Sequence, residues 1–349
     1  MQKEGRMKKR VLVLTALIFA FAFSGPVVCF GAAPYYEGKT VRLIVGTSPG
    51  GGFDSYARLL SRHLAKHIPG APTIIVENMP AAGGLASANY LYKVARPNGL
   101  TIATFNGTLL FEQVLGQEGI EFESQKFEYI GALARVTPVC LLSKASGITS
   151  MDAWMASKTP VKIGGIGPGN LAPDNTPKIL NAAIGLPLQH ITGYKGTAEI
   201  RLAVEGNEVH GCFLGWESAK TTWRKDLESG TAFVAVQAVP KVLPDLPKVP
   251  LAISYAKTDE ARTLIEAGIH SCGLFSRPFA TTPGTPKERV DLLRKAFQET
   301  LKDKDFLAEA QKSRLDLDPV TGEDLHKAVT TASRVDKALV TKLKNILYK

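Results

Sequence analysis

The segment with the strongest chemical character is a glycine-rich loop, 46–52, with the sequence Gly-Thr-Ser-Pro-Gly-Gly-Gly. Consecutive glycines leave backbone N–H groups open to a small molecule. A helix is predicted from Asp54, with Asp54 as its N-cap, and a helix start favours negative charge because its first N–H groups lack acceptors. The loop is therefore a candidate anion site, although the same glycines would suit a tight turn that binds nothing. The candidate ligand-binding residues here are Ser48, Gly50, Gly51, Phe53 and Asp54.

Glycine-containing turns of the same type recur before other predicted helices, at 81–84, 164–169 and 193–197. Several donor-rich helix starts in two α/β units can converge on one crevice. At Gly196 we expect a positive φ or a close approach of ligand to the main chain, and we expect Thr197 to cap the next helix. Trp216 is either a flat apolar wall of the site or ordinary core. The further candidates are Asn106, Gly167, Gly196, Thr197 and Trp216.

Enzyme motifs are weak in this sequence. Residues 46–50 match G-x-S-x-G, the nucleophile elbow of α/β hydrolases. The oxyanion hole of that motif needs the N–H of the residue after the serine, and here that residue is Pro49, which has none. His326 keeps a hydrolase that uses Ser48 available as an alternative. Dinucleotide and P-loop fingerprints do not occur, so we expect no catalytic residue and no cofactor.

Metal binding and disulfide formation are equally weakly indicated. His63 and His67 are four residues apart on a predicted helix, but no third ligand is near in sequence, so we expect no metal site. Cys140, Cys212 and Cys272 leave open whether two of them form a disulfide.

The elements that must position these loops alternate between strand and helix. Strand, helix, strand, helix, strand in that order predicts a parallel sheet with right-handed crossovers, and the scheme occurs twice. The C-terminal part is predicted helical, with Thr285, Pro286 and Glu288 as a capping box and one last helix with apolar positions from Leu325 to Ile346. The predicted strands are 41–45, 73–76, 101–105, 161–163, 189–191, 209–214 and 233–236. The predicted helices between them are 54–68, 85–94, 177–183 and 198–204.

The N-terminus has the three-part layout of a secretory signal peptide, which we predict over residues 1–32. Basic residues precede an uncharged run from Val11 to Phe23, and small residues follow it. That run has 13 residues, whereas a membrane span needs about 20. Cleavage is expected near residues 31–33, and the true start is Met1 or Met7. Cys29 follows Val28 instead of a small residue, so lipid anchoring is not expected.

Composition is that of an ordinary soluble globular protein, with 45% hydrophobic and 21% charged residues. Roughly 315 residues would remain after cleavage, which suggests two domains. The formal net charge is +10, but the basic residues are scattered and do not alternate with aromatic residues. The positive charge either belongs to an ordinary solvated surface or gives mild attraction for anionic solutes, and we expect no nucleic-acid binding.

Four motifs together resemble the solute-binding proteins of tripartite tricarboxylate transporters, the Bug family. The motifs are GTSPGGGFDSYAR (46–58), VENMPAAGGLASAN (76–89), GYKGTAEIRLA (193–203) and RPFATTPGTPKER (277–289). The resemblance implies a type II periplasmic binding protein of two α/β lobes with the ligand cleft between them. It also implies that loop amides and waters hold a carboxylate, with the loops at 48–54 and 193–197 acting as pincers. Phe53 stands where many members have Thr or Ser. It would favour an apolar or aromatic carboxylate, or it packs in the core.

These inferences define one expected function. The chain is predicted to be a periplasmic, non-enzymatic receptor, monomeric, that captures a small carboxylate (a di- or tricarboxylate or an aromatic carboxylate) and delivers it to the membrane permease subunits of a tripartite tricarboxylate transporter. A sensory receptor that presents its ligand to a signalling protein remains an alternative, and the sequence does not select the solute. Lobe one is predicted from residues 33–138 plus 274–349, and lobe two from 139–273. The segments 135–143 and 270–279 are predicted to cross between the lobes as strands.

Overall fold

The computed structural model describes residues 33–167 and 169–348, so the predicted signal peptide and Cys29 lie outside the described residues. A six-stranded mixed sheet forms the first lobe, which we call lobe one. The strand β1 is buried on both faces, as its run of Val, Leu and Ile residues requires for a central parallel strand. In spatial order the strands are β2 (Thr73–Asn78), β1 (Thr40–Val45), β3 (Thr101–Thr104), β10 (Phe279–Thr281), β4 (Glu128–Ala132) and β11 (Val320–Thr321).

A five-stranded mixed sheet forms lobe two and repeats the same plan. Three parallel strands are followed by one antiparallel strand and then by the last strand of the unit. In each sheet that antiparallel strand, β10 or β5, comes directly after the chain has crossed from the other lobe. In spatial order the strands of lobe two are β7 (Leu188–Ile191), β6 (Val161–Gly164), β8 (Gly211–Gly215), β5 (Pro138–Ser143) and β9 (Ala232–Gln237).

Helices cover the sheets and link their strands. The longer ones carry an apolar face toward the core, as Tyr56, Leu60 and Leu64 do in the first helix. The helices are α1 (Gly52–Leu64), α2 (Leu85–Lys93), α3 (Thr108–Val114), α4 (Met151–Met155), α5 (Thr176–Ile184), α6 (Thr197–Glu205), α7 (Trp216–Thr222), α8 (Arg224–Ser229), α9 (Asp259–Ile265), α10 (Ser271–Leu274), α11 (Lys287–Thr300), α12 (Lys304–Lys312), α13 (Gly322–Ala332) and α14 (Lys337–Tyr348). Two π-helical turns are Leu171–Asn175, which runs into α5, and Glu266–His270, which joins α9 to α10. Short 3-10 turns are Ala65–His67, Ala81–Gly84, Ser124–Lys126, Lys144–Ser146 and Ala252–Tyr255.

Three predictions about the C-terminal helices and the second crossing segment are wrong. The capping box does not form, because α11 begins after Pro286 and the Thr285 hydroxyl donates to Thr282 O at 2.7 Å. The single last helix is two helices, α13 and α14, separated by a break after Ala332. The second crossing segment is not a strand, since residues up to Leu274 continue the π-helical turn and α10.

The apolar core is shared between the lobes on one side of the sheets. One buried cluster contains Phe105 and Phe127 of lobe one together with Trp154 and Phe213 of lobe two. A second cluster, around Trp223, lies on lobe two alone. The shared cluster packs apolar residues of the two lobes against each other.

The last helix docks on lobe two although it follows lobe-one elements in the chain. Helix α14 contacts α5, and its Leu343 and Leu347 are buried. Lys178 Nζ donates to Leu347 O at 2.6 Å. The predicted lobe boundaries remain a prediction.

Two further observations concern the described residues. None of their helices is both long and apolar enough to cross a membrane. Cys140, Cys212 and Cys272 are all buried and free. The disulfide that the sequence left open is not present among them.

Candidate ligand-binding cleft

The loops at the carboxyl ends of β1, β2 and β3 meet at one edge of lobe one. A Cβ built on Gly46, which follows β1, would lie 3.2 Å from Gly84 Cα and 3.2 Å from Phe105 Cβ. Gly84 has a φ of 96° and starts α2 after β2. Only glycine fits this close approach of backbones, so these residues fix the base of the glycine loop.

Asp54 braces the glycine loop and is not the N-cap of α1. The helix begins two residues earlier, with Gly51 as N-cap, and its first intrahelical bond joins Ser55 N to Gly51 O at 2.9 Å. Asp54 Oδ2 accepts from Gly50 N at 2.9 Å and from Arg58 Nε at 2.8 Å. The amide N–H of Gly50 is therefore not free to hold an anion.

The carboxylate of Asp54 is fully engaged inside lobe one. Its Oδ1 accepts from Asn78 Nδ2 at 2.9 Å. Burial raises the pKa of Asp54, but hydrogen bonds from Arg58, Gly50 and Asn78 outweigh burial and hold the pKa below its usual value. Asp54 stays ionised and shapes the loop. The N–H groups that precede the first intrahelical bond, and so have no acceptor within the helix, are those of Gly51, Gly52, Phe53 and Asp54.

The corresponding loop of lobe two, after β6, also uses its own donors. Gly167 N donates to Asp174 Oδ1 at 2.9 Å, and Ile166 N donates to Asp174 Oδ2 at 3.2 Å. Burial raises the pKa of Asp174 to about 7. The N–H of Gly167 is thus paired within lobe two.

Asn106 joins the two lobes at the base of the cleft. This buried side chain follows β3, and its Nδ2 donates to Gly169 O of lobe two. Asn106 Oδ1 accepts from Thr108 N at 3.2 Å. Both ends of the amide are therefore held by main-chain groups, one from each lobe.

The loop before α6 differs from its predicted geometry. Gly196 has φ 176° and ψ 173°, which is extended backbone that any residue adopts. Of the two alternatives, the positive φ is wrong, and the close approach of a ligand to the main chain stays a prediction. Thr197 is the first residue of α6 and makes no side-chain cap bond. Instead Lys195 N donates to Glu199 Oε2 at 2.8 Å. A Cβ at Gly196 would meet nothing within 4 Å, so space for a ligand exists beside it.

Trp216 is the first residue of α7 and is half-buried against the second core cluster. Its Nε1 donates to Asp245 Oδ2 at 3.0 Å, and Lys220 Nζ lies 5.9 Å from the ring centroid. A role as a flat wall of the site stays a prediction.

Arg277 is the cleft residue that sequence reasoning missed. Its Nη2 forms an ion pair with Glu217 Oε1 of lobe two at 2.9 Å and donates to Ser218 Oγ at 3.3 Å. Its Cζ lies 5.3 Å from the centroids of both the Phe53 and Tyr56 rings. The residue begins one of the family motifs, but nothing in the motif shows that its side chain turns into the cleft.

The glycine loop meets lobe two at the same point. A Cβ on Gly52 would lie 3.2 Å from Ser218 Oγ and 3.3 Å from Arg277 Nη2. The structure therefore brings together the N-terminus of α1, the first turn of α7 and the guanidinium of Arg277. Ser48, the nucleophile of the hydrolase alternative, lies exposed in the glycine loop. The ring centroid of His326 lies 6.2 Å from that of Tyr129.

Solved structures with this fold are two-lobed binding proteins. The periplasmic binding protein BugD has a TM-score of 0.68 at 20% identity, over 89% of this chain and 98% of that chain. MatC from Rhodopseudomonas palustris, solved with bound malate, has a TM-score of 0.65 at 19% identity, over 88% and 99%. An R. palustris protein solved with adipate has a TM-score of 0.68 at 19% identity, over 88% and 98%. The predicted periplasmic-binding-protein fold is confirmed.

The family follows from the sequence match. The model of the tripartite tricarboxylate transporter family receptor matches residues 56–344, so the chain belongs to that family. The resemblance drawn from the four motifs is thereby confirmed. No curated protein matches the chain in sequence. The family and its solved relatives are solute-binding proteins, and none of the comparisons supports the hydrolase alternative.

Proposed function

We propose that this chain is a periplasmic receptor that binds a small carboxylate between its lobes and delivers it to the membrane permease subunits of a tripartite tricarboxylate transporter. One observation carries the proposal: the N-terminus of α1 lies directly opposite lobe two, where a Cβ on Gly52 would be 3.2 Å from Ser218 Oγ. The lobes are in contact at this helix end, so an anion that enters there when the lobes separate would touch both of them.

The chemistry of this helix end selects negative charge. The N–H groups of Gly51, Gly52 and Phe53 have no acceptor within the helix, and the helix dipole adds positive potential at the same point. A carboxylate offers two oxygens to such donors, whereas a sugar or an amine brings no negative charge. We retain Ser48, Asn106, Gly196, Thr197 and Trp216 as candidate contacts around that anchor.

Relatives support the ligand class and the partner. Two proteins of the same fold were solved with malate and with adipate, both small carboxylates. Family membership supports transfer of the solute to a tripartite transporter, and the predicted signal peptide agrees with a site of action in the periplasm. We propose a monomer without a cofactor.

Capture by closure is the mechanism that this geometry favours. A ligand that contacts α1 of lobe one and α7 of lobe two gains contacts only when the lobes are together, so it stabilises the closed state. Each lobe has a sheet of its own, and we propose that the lobes move as bodies about the two crossings. The closed receptor then presents one defined surface to the permease.

The test is a thermal-shift screen against mono-, di- and aromatic carboxylates. At about 100 times its dissociation constant, a bound ligand should stabilise the protein by roughly 2.7 kcal/mol, seen as a higher melting temperature. Sugars and cationic amines at equal concentration are the controls. If these controls shift the melting temperature and the carboxylates do not, the proposed ligand class is wrong.

A further inference from the structure

We propose that Arg277 binds a ligand carboxylate directly, and that Glu217 is the counter-ion that holds Arg277 in the cleft before ligand arrives. The inference rests on the proposed function and names the residue that would set its preference for carboxylates. Arg277 lies in the chain between α10 and β10, and Glu217 lies in the first turn of α7, so the pair spans the cleft.

The guanidinium of Arg277 is buried with donors to spare. The residue is 8% exposed, and its Nε and Nη1 are buried without a hydrogen-bond partner among the described residues. Glu217 and Ser218 contact only Nη2. Buried charged donors normally have a hydrogen-bond acceptor, because burial removes their hydration and an unpaired donor gains no hydrogen bond in exchange. The Nε and Nη1 atoms point to different sides of the guanidinium, and each can donate one charge-assisted hydrogen bond to a ligand carboxylate.

The position of Arg277 is unfavourable without an anion. A Cβ on Gly52 would lie 3.3 Å from Arg277 Nη2, so the cation abuts the first residue of α1. A helix N-terminus carries positive potential and repels a cation. In this structure Glu217 pairs with the guanidinium, and the carboxylate in the first turn of α1, that of Asp54, is already held by Gly50, Arg58 and Asn78. A further carboxylate between the helix end and the guanidinium would be attracted by both.

Two aromatic rings fix the orientation of the guanidinium. The Cζ of Arg277 lies 5.3 Å from the ring centroids of Phe53 and Tyr56. Tyr56 is itself fixed, because its hydroxyl donates to Asp316 O at 2.6 Å. A planar cation held against aromatic rings loses little conformational freedom on binding, which a flexible lysine cannot match.

Glu217 is held independently of Arg277. Its Oε2 accepts from Thr137 Oγ1 at 2.9 Å and from Thr137 N at 3.3 Å. A glutamine at 217 can keep that acceptor and removes the negative charge. Glu217→Gln therefore frees Arg277 for the ligand without removing the bond to Thr137.

The experiment measures dissociation constants by calorimetry for the unmodified protein, Arg277→Met, Arg277→Lys and Glu217→Gln. The probes are malate, adipate and benzoate, each paired with its amide (malamide, adipamide and benzamide). Arg42→Met is the matched control, because Arg42 also pairs with a carboxylate, Glu77, and packs on a ring, that of Tyr90, at the opposite end of β1. Circular dichroism confirms that each variant is folded.

Arg277→Met should weaken binding of the best carboxylate probe by about 10- to 100-fold, as expected for a lost charge-assisted hydrogen bond, and should reduce its preference over the amide to the part that the N-terminus of α1 supplies. The dissociation constant of Arg277→Lys should lie between those of the unmodified protein and Arg277→Met. Glu217→Gln should bind the same probe several-fold more tightly, because repulsion is removed. Arg42→Met should bind as the unmodified protein does.

Three results separate this inference from its rivals. If Arg277→Met keeps the full preference for carboxylate over amide, Arg277 does not bind the ligand, although the proposed function stands. If Glu217→Gln weakens binding as much as Arg277→Met, the pair is only a latch between lobes, and the inference is wrong. If the unmodified protein binds no carboxylate probe, the proposed function fails and this inference fails with it. Should Arg277→Met not fold, the double variant with Glu217→Gln leaves no unpaired charge and is measured instead.

Discussion

Asp54 shows how one carboxylate can shape a binding loop without being available to a ligand. Both of its oxygens accept hydrogen bonds from Gly50, Arg58 and Asn78, so the loop is held in one shape before any solute arrives. Gly50 gives up its donor in the process. The N–H of Gly51 is therefore a better candidate than that of Gly50 for a hydrogen bond to the ligand.

Gly196 offers a clean test at the residue scale. Because its backbone is extended and a Cβ would meet nothing within 4 Å, Gly196→Val should change the free energy of unfolding by no more than about 0.5 kcal/mol. If the loop faces the ligand, the branched side chain should weaken carboxylate binding at least tenfold, measured by calorimetry.

The matched control for Gly196→Val is Gly206→Val, at the other end of α6, where φ is −77°. It should leave binding unchanged. Native-like affinity in folded Gly196→Val would remove the loop before α6 from the site.

At the scale of elements, most of the strands and helices that periodicity predicted are found to within one or two residues, because buried apolar runs and amphipathic faces are local features. Several shorter helices, among them α3, α7 and α9, were not predicted. The predictions that failed concern segments whose local conformation depends on tertiary contacts. The side chain of Thr285 turns back to Thr282 instead of capping α11, and the second crossing became helical. The site was predicted only in part, since glycine loops mark a helix start but do not show which N–H groups are already used. Arg277 was missed because its burial depends on residues from both lobes.

The π-helical turn Leu171–Asn175 makes a contact with α3 that should be sensitive to pH. Asn175 Nδ2 donates to Glu112 Oε1 at 3.3 Å, and Glu112 Oε2 is buried with no hydrogen-bond partner in the part of the chain that the structure describes. Burial raises the pKa of Glu112 to about 7, and the nearby Asp174 adds to the increase. Glu112 is thus protonated in the folded state at a pH where the unfolded chain has released its proton.

The sign of the pH dependence follows from that difference. Stability from Glu112 is fully present below the unfolded pKa of about 4.5 and is lost as pH rises through the folded pKa of about 7. Glu112→Gln should remove this loss, which is on the order of 2–3 kcal/mol between pH 5 and pH 8. Urea denaturation at several pH values measures the slope. The exposed Glu118→Gln should keep the slope of the unmodified protein, and an unchanged slope in Glu112→Gln would contradict the assignment.

For the molecule as a whole, the lobes are joined across the cleft by a lysine with two partners. Lys220 of α7 pairs with Asp245 of its own lobe at 2.9 Å and with Asp316 of lobe one. The second pair exists only when the lobes are together. It is therefore one of the contacts that should hold the closed state.

Solution scattering tests closure. Saturating carboxylate should lower the radius of gyration of the protein, because ligand contacts favour the closed state. Asp316→Asn should raise the radius of gyration of the ligand-free protein and weaken ligand binding, whereas Asp245→Asn, within lobe two, should do neither. Identical scattering curves with and without ligand would argue against hinge closure.

The placement of β10 governs when the protein can fold. This strand fills the middle of the lobe-one sheet, between β3 and β4, yet the chain reaches it only after all five strands of the lobe-two sheet. A nascent chain that stops before Phe279 leaves two strand edges without their shared partner. Such long-range pairing is slow, so the first lobe is begun early in synthesis and completed late. Delayed completion suits a chain that we propose is threaded across a membrane before it folds.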